Sequence, residues 1–557
     1  MGRYGSIVKR VLAIGIAILG DRKAAMLVTA AVLIIVFDFL AIALLIPLMS
    51  MAQDGTIKEF ISRLFDYEAD AIHVIQFSLL SFLLFILIKN LILFFSGKFK
   101  YQCIFEIQQK LSSQILATYL QRRFDQFRHE TISIFARNVI SETGHFVSTL
   151  TIIIDTAIEV SIFVAIFILV GFQTPILYLF LLFFVLFGLL IFGYTRNKLF
   201  ELGANRVQCE RERLGMVQSV YNLFSEIKVY RAERYFLKKY EGPNKVVANS
   251  HAVENTVRPI AKHVYEILTI FFLIAYVTIF FSHTNFETNL ILVAVALLRS
   301  LPSFNKIATS VQQFTVHVKS IDGILDVLSS GSKAPGNTNI LTQPRSPKVK
   351  GFCYELERLQ VADKVFVNMR LVLKESDHLV LLRADSGFGK TVFLGAMVGL
   401  IDADGRYTVN DSHLMPNELL KLNLFSYNSQ SARLLNDTVL NNILFDTDEC
   451  DSERLETALR LSNLKEIIEG FPNGMNTVLS DKGNNLSGGQ QQRITLARTI
   501  YKMREIMVLD ESLSALDNAS QLKILQNLRD QYPGKVILVS HDLMASHLFD
   551  SIISWKR

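Results

Sequence analysis

The sequence predicts a chain of two halves: an α-helical membrane domain of six transmembrane helices, followed by an α/β domain. Three observations carry that reading. Six apolar runs long enough to cross a bilayer fall before residue 310 and none falls after it. A stretch rich in Ser, Gly, Pro and Asn, "SSGSKAPGNTNILTQPRSPK" from Ser329 to Lys348, then marks a linker. Beyond it, short apolar strand-like runs end in glycine-rich or acidic loops. The domains are therefore expected at 1–328 (membrane), 329–348 (linker) and 349–557 (α/β).

Composition agrees. Half of the 557 residues are apolar and only 19% are charged. A net charge of +6 gives little support to nucleic acid as a partner. In a membrane protein such an excess gathers in cytoplasmic loops. The four cysteines, Cys103, Cys209, Cys353 and Cys450, lack metal-ligand spacing, so unpaired thiols in a reducing compartment are expected. The first apolar run begins after Lys23 and is too long for a signal peptide, which makes it a retained span.

The spans fall at Ala24–Met51, His73–Phe95, Phe146–Phe172, Pro175–Tyr194, His263–Ser282 and Asn285–Ile307. The N-terminal segment carries Arg3, Lys9, Arg10, Arg22 and Lys23. The segments after spans 2 and 4 are also basic, whereas the loop after span 1 is acidic, with Asp54, Glu59, Asp66, Glu68 and Asp70. The basic segments lie inside, so both termini are expected in the cytoplasm. The long polar stretches after spans 2 and 4 are expected to continue the membrane helices into the cytosol. The second holds "LFSEIKVYRAERYF" (Leu223 to Phe236), readable either as a short contact helix or as a solvated charged one. In the outer loop, Ile57, Phe60, Ile61, Leu64 and Phe65 make one apolar helical face, to meet lipid or to pack on the span ends. Ionisable residues inside spans are costly and mark pathways or pair with one another; Asp38, Lys89, Asp155, Glu159 and Arg299 are the candidates.

The chemistry starts at "LLRADSGFGKTVF", Leu381 to Phe393. It fits the phosphate-binding pattern G-x-x-x-x-G-K-[ST] except that Ala384 replaces the first glycine. An apolar strand precedes it and a helical run follows, the context a P-loop needs. The loop Asp385, Ser386, Gly387, Phe388, Gly389, Lys390 and Thr391 is expected to hold a nucleotide, the backbone N–H groups of Gly387 to Thr391 at a helix N-terminus cradling the phosphates. Lys390 would reach the outer phosphates and Thr391 would ligate Mg²⁺. A methyl group at 384 costs about 1 kcal/mol where that residue takes positive φ and nearly nothing otherwise. Asp385 is unhelpful near phosphates unless it points away.

Three further segments strengthen the reading. "NNLSGGQQQRITLARTI", from Asn484, puts Ser487, Gly488, Gly489 and Gln490 at a second helix start suited to phosphate. "IMVLDE", Ile506 to Glu511, is a buried strand ending in two acids. Asp510 is placed to hold Mg²⁺ and Glu511 to polarise an attacking water, although alone the segment would read as a core strand with exposed acids. "VILVSHD" is another buried strand with His541 at its carboxyl end, where ligands of open α/β sheets bind.

In order and spacing these motifs resemble the ATP-binding cassette (ABC) proteins, with "LSGGQ" as signature, "SALD" (Ser514 to Asp517) as D-loop, His541 as switch histidine and Gln430 as Q-loop glutamine. Six spans followed by this cassette resemble an exporter-type half transporter along the whole chain. The resemblance implies an α-helical membrane domain of ABC exporter type followed by an α/β P-loop nucleotide-binding domain. It implies ATP and Mg²⁺ as cofactors; Glu511, His541 and Gln430 as catalytic groups; Thr391, Gln430 and Asp510 at the metal; and Asp517 with the signature at ATP. Two cassettes would sandwich two nucleotides, so a homodimer is the default and a heterodimer stays open.

The sequence departs from the family in Ala384 and in the missing adenine-stacking aromatic, where only Asp363 and Phe366 stand nearby. Asp481 and Lys482 represent the charged pair before the signature. Several stretches, among them "LLIPLMSMA" and "GFPNGMNTVLSDKGNNLSGGQ", resemble bacterial lipid-linked oligosaccharide flippases. The expected function is ATP-driven export or flipping of an amphipathic cargo, a lipid-linked sugar or a peptide, across the bacterial inner membrane by a multi-pass protein with its cassette in the cytoplasm. The alternatives are export of a bacteriocin-type peptide and a nucleotide-gated channel or regulator with weakened ATPase.

Overall fold

The computed structural model describes residues 2–54, 71–122, 124, 127, 130–171, 176–281, 286–331, 348–361, 364–384, 388–401, 403–414, 422–445, 449–479, 486–540 and 546–555. The outer-loop face at Ile57–Phe65, most of the linker, and Asp481 and Lys482 lie outside these residues. The chain divides into two compact units, Met1–Arg122 with Glu130–Pro335, and Arg123–His129 with Gly336–Arg557.

The first unit is helical. It contains α1 (Gly2–Leu19), α2 (Asp21–Asp54), α3 (Ala71–Leu120), α4 (Ile132–Ala136) and, after a π-helical turn at Arg137–Ser141, α5 (Glu142–Gly171). Then come α6 (Ile176–Asn222), α7 (Phe224–Val229), α8 (Glu233–Phe280) and α9 (Phe286–Gly331). The described part of each apolar run falls largely within one long helix, because in hydrocarbon a helix satisfies its backbone polar groups within the segment. Among the described residues four stretches are long and apolar enough to cross a membrane: Asp21–Ala41, Leu79–Leu120, Ile132–Ile168 and Glu233–Phe280. The apolar stretch Tyr178–Leu190 of α6 is shorter.

The basic N-terminal segment forms a helix that charge alone did not disclose. Ile7, Val11 and Leu19 of α1 bury one face among Ile104, Ile107, Leu111, Phe146 and Leu150 of α3 and α5, while Lys9 and Arg10 stay exposed. A second core joins α5, α6, α8 and α9 around Phe163, Phe180, Tyr265 and Phe304. Within "LFSEIKVYRAERYF", α7 buries Ile227 alone and leaves Phe224, Val229 and Tyr230 exposed.

The second unit is α/β. Strands β1 (Phe352–Val361), β2 (Lys364–Leu373), β4 (Asp404–Val409) and β5 (Ser412–Leu414) form an antiparallel sheet in the order β2-β1-β4-β5. Strands β3 (Leu379–Ala384), β6 (Phe425–Asn428), β7 (Ile506–Asp510), β8 (Lys535–Val539) and β9 (Ser551–Trp555) form a parallel sheet in the order β6-β7-β8-β3-β9. Every residue of β7 and β8 is buried, as parallel strands covered on both faces require. Helices α10 (Lys390–Met397), α11 (Val439–Leu444), α12 (Ser452–Leu461), α13 (Lys465–Glu469), α14 (Gly488–Tyr501) and α15 (Asn518–Gln531) complete the unit.

Candidate nucleotide site

The opening loop of the site leaves β3 at Ala384. This residue is buried and its backbone pairs with Trp555 of β9. It is not among the positive-φ residues; among the described residues of the loop the left-handed one is Gly389, with φ 99°, which immediately precedes α10. Glycine is needed where the backbone is left-handed, so the methyl at 384 is accommodated as ordinary strand. The Ala384 carbonyl accepts from Lys390 Nζ at 2.9 Å, so strand end and loop lysine are joined. Asp385, Ser386 and Gly387 lie outside the described residues, as does His541. The Phe388 ring stacks on Trp555 at 6.1 Å, leaving its backbone as the part available to a phosphate.

Three expected residues meet at the end of this loop. Lys390, itself buried, holds its ammonium 3.4 Å from Glu511 Oε1. Gln430 Nε2 donates to Glu511 Oε2 at 2.8 Å. Glu511 follows β7 with φ 50°, its N–H bonded to the Val539 carbonyl. A left-handed non-glycine residue is costly and tends to occur at functional sites. Here it turns the carboxylate out of the sheet.

Asp510, the last residue of β7, is buried. Burial raises its carboxyl pKa, while bonds from the Tyr427 and Thr391 hydroxyls favour the ionised form. Tyr427 Oη donates to Asp510 Oδ2 at 3.0 Å, and burial beside that carboxylate pushes the phenol pKa up. The hard oxygens of Thr391, Asp510 and Gln430 suit Mg²⁺, and a buried carboxylate is the group a cation would compensate. Sequence reasoning missed Tyr427. The available signal was its place three residues before Gln430, at the end of a strand.

The signature residues form a separate cluster. Ser487 caps α14: its hydroxyl accepts from Gln490 N, and Gln490 Oε1 accepts from Ser487 N at 2.9 Å. The Gln490 side-chain oxygen is thus spent on the cap. A Cβ on Gly489 would lie 3.2 Å from Leu516 Cδ2 and 3.3 Å from the Ala515 carbonyl, so glycine lets α14 approach the 514–517 turn. Gln492, also missed, ties the two by accepting from Ala515 N at 2.9 Å. Asp517 caps α15 by accepting from Ser520 N, and the Ser520 hydroxyl, together with that N–H, lowers its pKa. Ser487 and Gln490 thus bond to each other at the start of α14, while Gly488, Gly489 and Gln492 pack against the 514–517 turn.

In the helical unit, all five ionisable candidates are paired. Asp38 meets Lys89 at 2.6 Å and Arg299 at 3.4 Å. Asp155 meets Lys100 at 2.7 Å, and Glu159 meets Lys306 at 3.0 Å.

Comparison with known proteins agrees with this geometry. Residues 367–514 match the family model described as ABC transporter. An ATP-dependent lipid A-core flippase of Saccharophagus degradans is 24% identical over 80% of this chain and 76% of its own length. One from Cupriavidus pinatubonensis is 36% identical over 32% of this chain and 31% of its own. The chain spans about a third of the length of most of the curated relatives it matches. Among solved structures, a bacterial Atm1-family ABC exporter with ATP bound matches with a TM-score of 0.77 at 14% identity, covering 96% of this chain and 94% of that one, which establishes the fold.

Proposed function

We infer that this chain is an exporter-type half transporter of the ABC family, hydrolysing ATP to move an amphipathic, lipid-linked cargo across the bacterial inner membrane. The observation that carries the reading is the convergence of Lys390, Gln430 and Asp510 on Glu511 and its strand end. A cassette drifted to a purely regulatory role has no need of that arrangement. The relatives named as lipid A-core flippases support a lipid-linked cargo over a peptide.

We assign the roles as follows. Lys390 leaves Glu511 for the outer phosphates when nucleotide enters, and the backbone from Gly387 to Thr391 cradles them. Thr391, Asp510 and Gln430 would hold Mg²⁺, which when bound neutralises developing phosphate charge. Glu511, released from Lys390 and still oriented by Gln430, polarises the attacking water, with His541 facing the outermost phosphate. Ser487, Gly488, Gly489 and Gln490, with Asp517, close over the nucleotide of a second copy, so the working unit is a homodimer. Six spans complete each chain's membrane domain (1–328), joined through 329–348 to the cassette (349–557), and α7 with its flanking helices transmits the motion. Movement of the cargo follows from closure and reopening of the two cassettes.

The test is ATPase stimulation and cargo movement in proteoliposomes. Lipid-linked sugars are expected to stimulate turnover and to cross. Stimulation by small peptides alone would shift the reading to peptide export, and no turnover with either would remove active transport.

A further inference from the structure

We propose that a cleft between α1, α2 and α5 is a binding site for one acyl chain of an anionic phospholipid of the cytoplasmic leaflet. This inference depends on membrane embedding and not on the cargo, so it stands or falls apart from the flippase reading. The cleft is lined by Leu12 and Ile16 of α1, Val28 and Val32 of α2, and Ile154 and Ala157 of α5, with an internal volume of about 550 Å³. That lies within the ~300–1,000 Å³ typical of small-ligand sites.

Its origin is in the helix packing. At Gly15 α1 comes so close to α5 that an added Cβ would lie 3.4 Å from Leu150 Cδ2. Beyond that contact the facing residues include Ala25 and Ala157, both exposed and too small to fill the gap. Ile16, Val28 and Val32 are left 47%, 59% and 51% exposed. In a membrane, a chain of CH₂ groups is the occupant this lining fits, since each buried CH₂ contributes roughly 0.8 kcal/mol.

Charge selects the headgroup. Lys9 and Arg10 of α1 and Arg22 and Lys23 of α2 are exposed, and Lys110 of α3 donates to the Ile18 carbonyl; Asp21, which lines the cleft, and Glu106 oppose them. Glu106 is engaged by both Lys23 and Lys110, at 2.8 Å from the latter. Asp21 sits in the first turn of α2, where the helix dipole favours it. Lys9 lies three and seven residues before Leu12 and Ile16, hence on their face of α1. Exposed cations at the cytoplasmic end of a span attract anionic lipid headgroups by ~1 kcal/mol each.

The experiment is native mass spectrometry of the purified full chain in detergent, titrated with phosphatidylglycerol or phosphatidylcholine. The wild type is expected to bind phosphatidylglycerol about tenfold more tightly. Ala25→Trp and Ala157→Trp, which fill the cleft from exposed positions, are expected to lose that binding. Lys9→Glu with Arg22→Glu is expected to abolish the preference and keep binding at the phosphatidylcholine level. Nucleotide affinity of the cassette, unchanged in each variant, reports that the chain is folded. Equal phosphatidylglycerol binding by the wild type and both tryptophan variants would overturn the proposal. So would the absence of a headgroup preference in the wild type, or binding of free palmitate as tight as that of phosphatidylglycerol.

Discussion

Glu511 and Lys390 stand 3.4 Å apart, so the proposed base and the proposed phosphate-binding lysine neutralise one another. A nucleotide must separate them, because Lys390 cannot serve the carboxylate and an anionic phosphate equally. Substituting Glu511→Gln removes the charge that competes for Lys390 and also the group that would polarise water. Turnover is expected to fall by at least ~100-fold, with nucleotide affinity unchanged or higher. Phosphate release and equilibrium nucleotide binding on the same protein check this; equal turnover in the two proteins would remove Glu511 from its role.

Restoring the glycine of the phosphate-binding pattern is expected to give nothing. Ala384 is buried strand paired with Trp555, and the left-handed turn is at Gly389. Ala384→Gly therefore leaves nucleotide affinity as it was, while the added backbone freedom destabilises the cassette by about 0.5–1 kcal/mol. Thermal unfolding and nucleotide titration separate the two effects. Tighter binding in the glycine variant would show that the methyl group obstructs the phosphates.

That case shows what the sequence could and could not disclose. Four of the six expected spans were legible among the described residues because apolar length decides them, and β7 and β8 because short uninterrupted apolar runs suit strands covered on both faces. The meeting of Lys390 and Glu511 follows from the order of their motifs, and that of Gln430 with Glu511 from the family resemblance. The phosphate pattern marked Ala384 as a defect because it records residue type and not φ. Tyr427 and Gln492 escaped because each acts through hydrogen bonds distant in sequence, Tyr427 across the sheet and Gln492 from α14 to the 514–517 turn, a relation with no local periodicity. The α1 helix escaped because its charges drew attention to topology, while Ile7, Val11 and Leu19 carried the amphipathic face.

Tyr427 is expected to tune the metal rather than the nucleotide. Its hydroxyl orients Asp510 from 3.0 Å, and loss of such an outer partner typically lowers metal affinity 10–100-fold. Tyr427→Phe keeps the ring and removes the donor. The Mg²⁺ concentration for half-maximal ATPase should rise by about tenfold, with metal-free nucleotide binding unaltered. Mn²⁺ binding measured by electron paramagnetic resonance gives a second readout; an unchanged metal requirement would reduce the Tyr427 bond to packing.

The ion cluster in the helical unit makes an asymmetric expectation. Asp38 of α2 faces two cations from two other helices, Lys89 of α3 at 2.6 Å and Arg299 of α9 at 3.4 Å. Removing the acid leaves two like charges together in a spanning segment, whereas removing Lys89 leaves Asp38 still paired with Arg299. Breaking a buried pair typically costs ~3–5 kcal/mol, and the partial exposure of Lys89 and Arg299 places this one towards the low end. Asp38→Asn should therefore lower the melting temperature of the lipid-reconstituted chain more than Lys89→Met. Adding Lys89→Met to Asp38→Asn should recover part of the loss, since one of the two repelling cations is then gone. A Lys89→Met protein at least as damaged as Asp38→Asn would show that Arg299 does not compensate Asp38, and the cluster would reduce to a single ion pair.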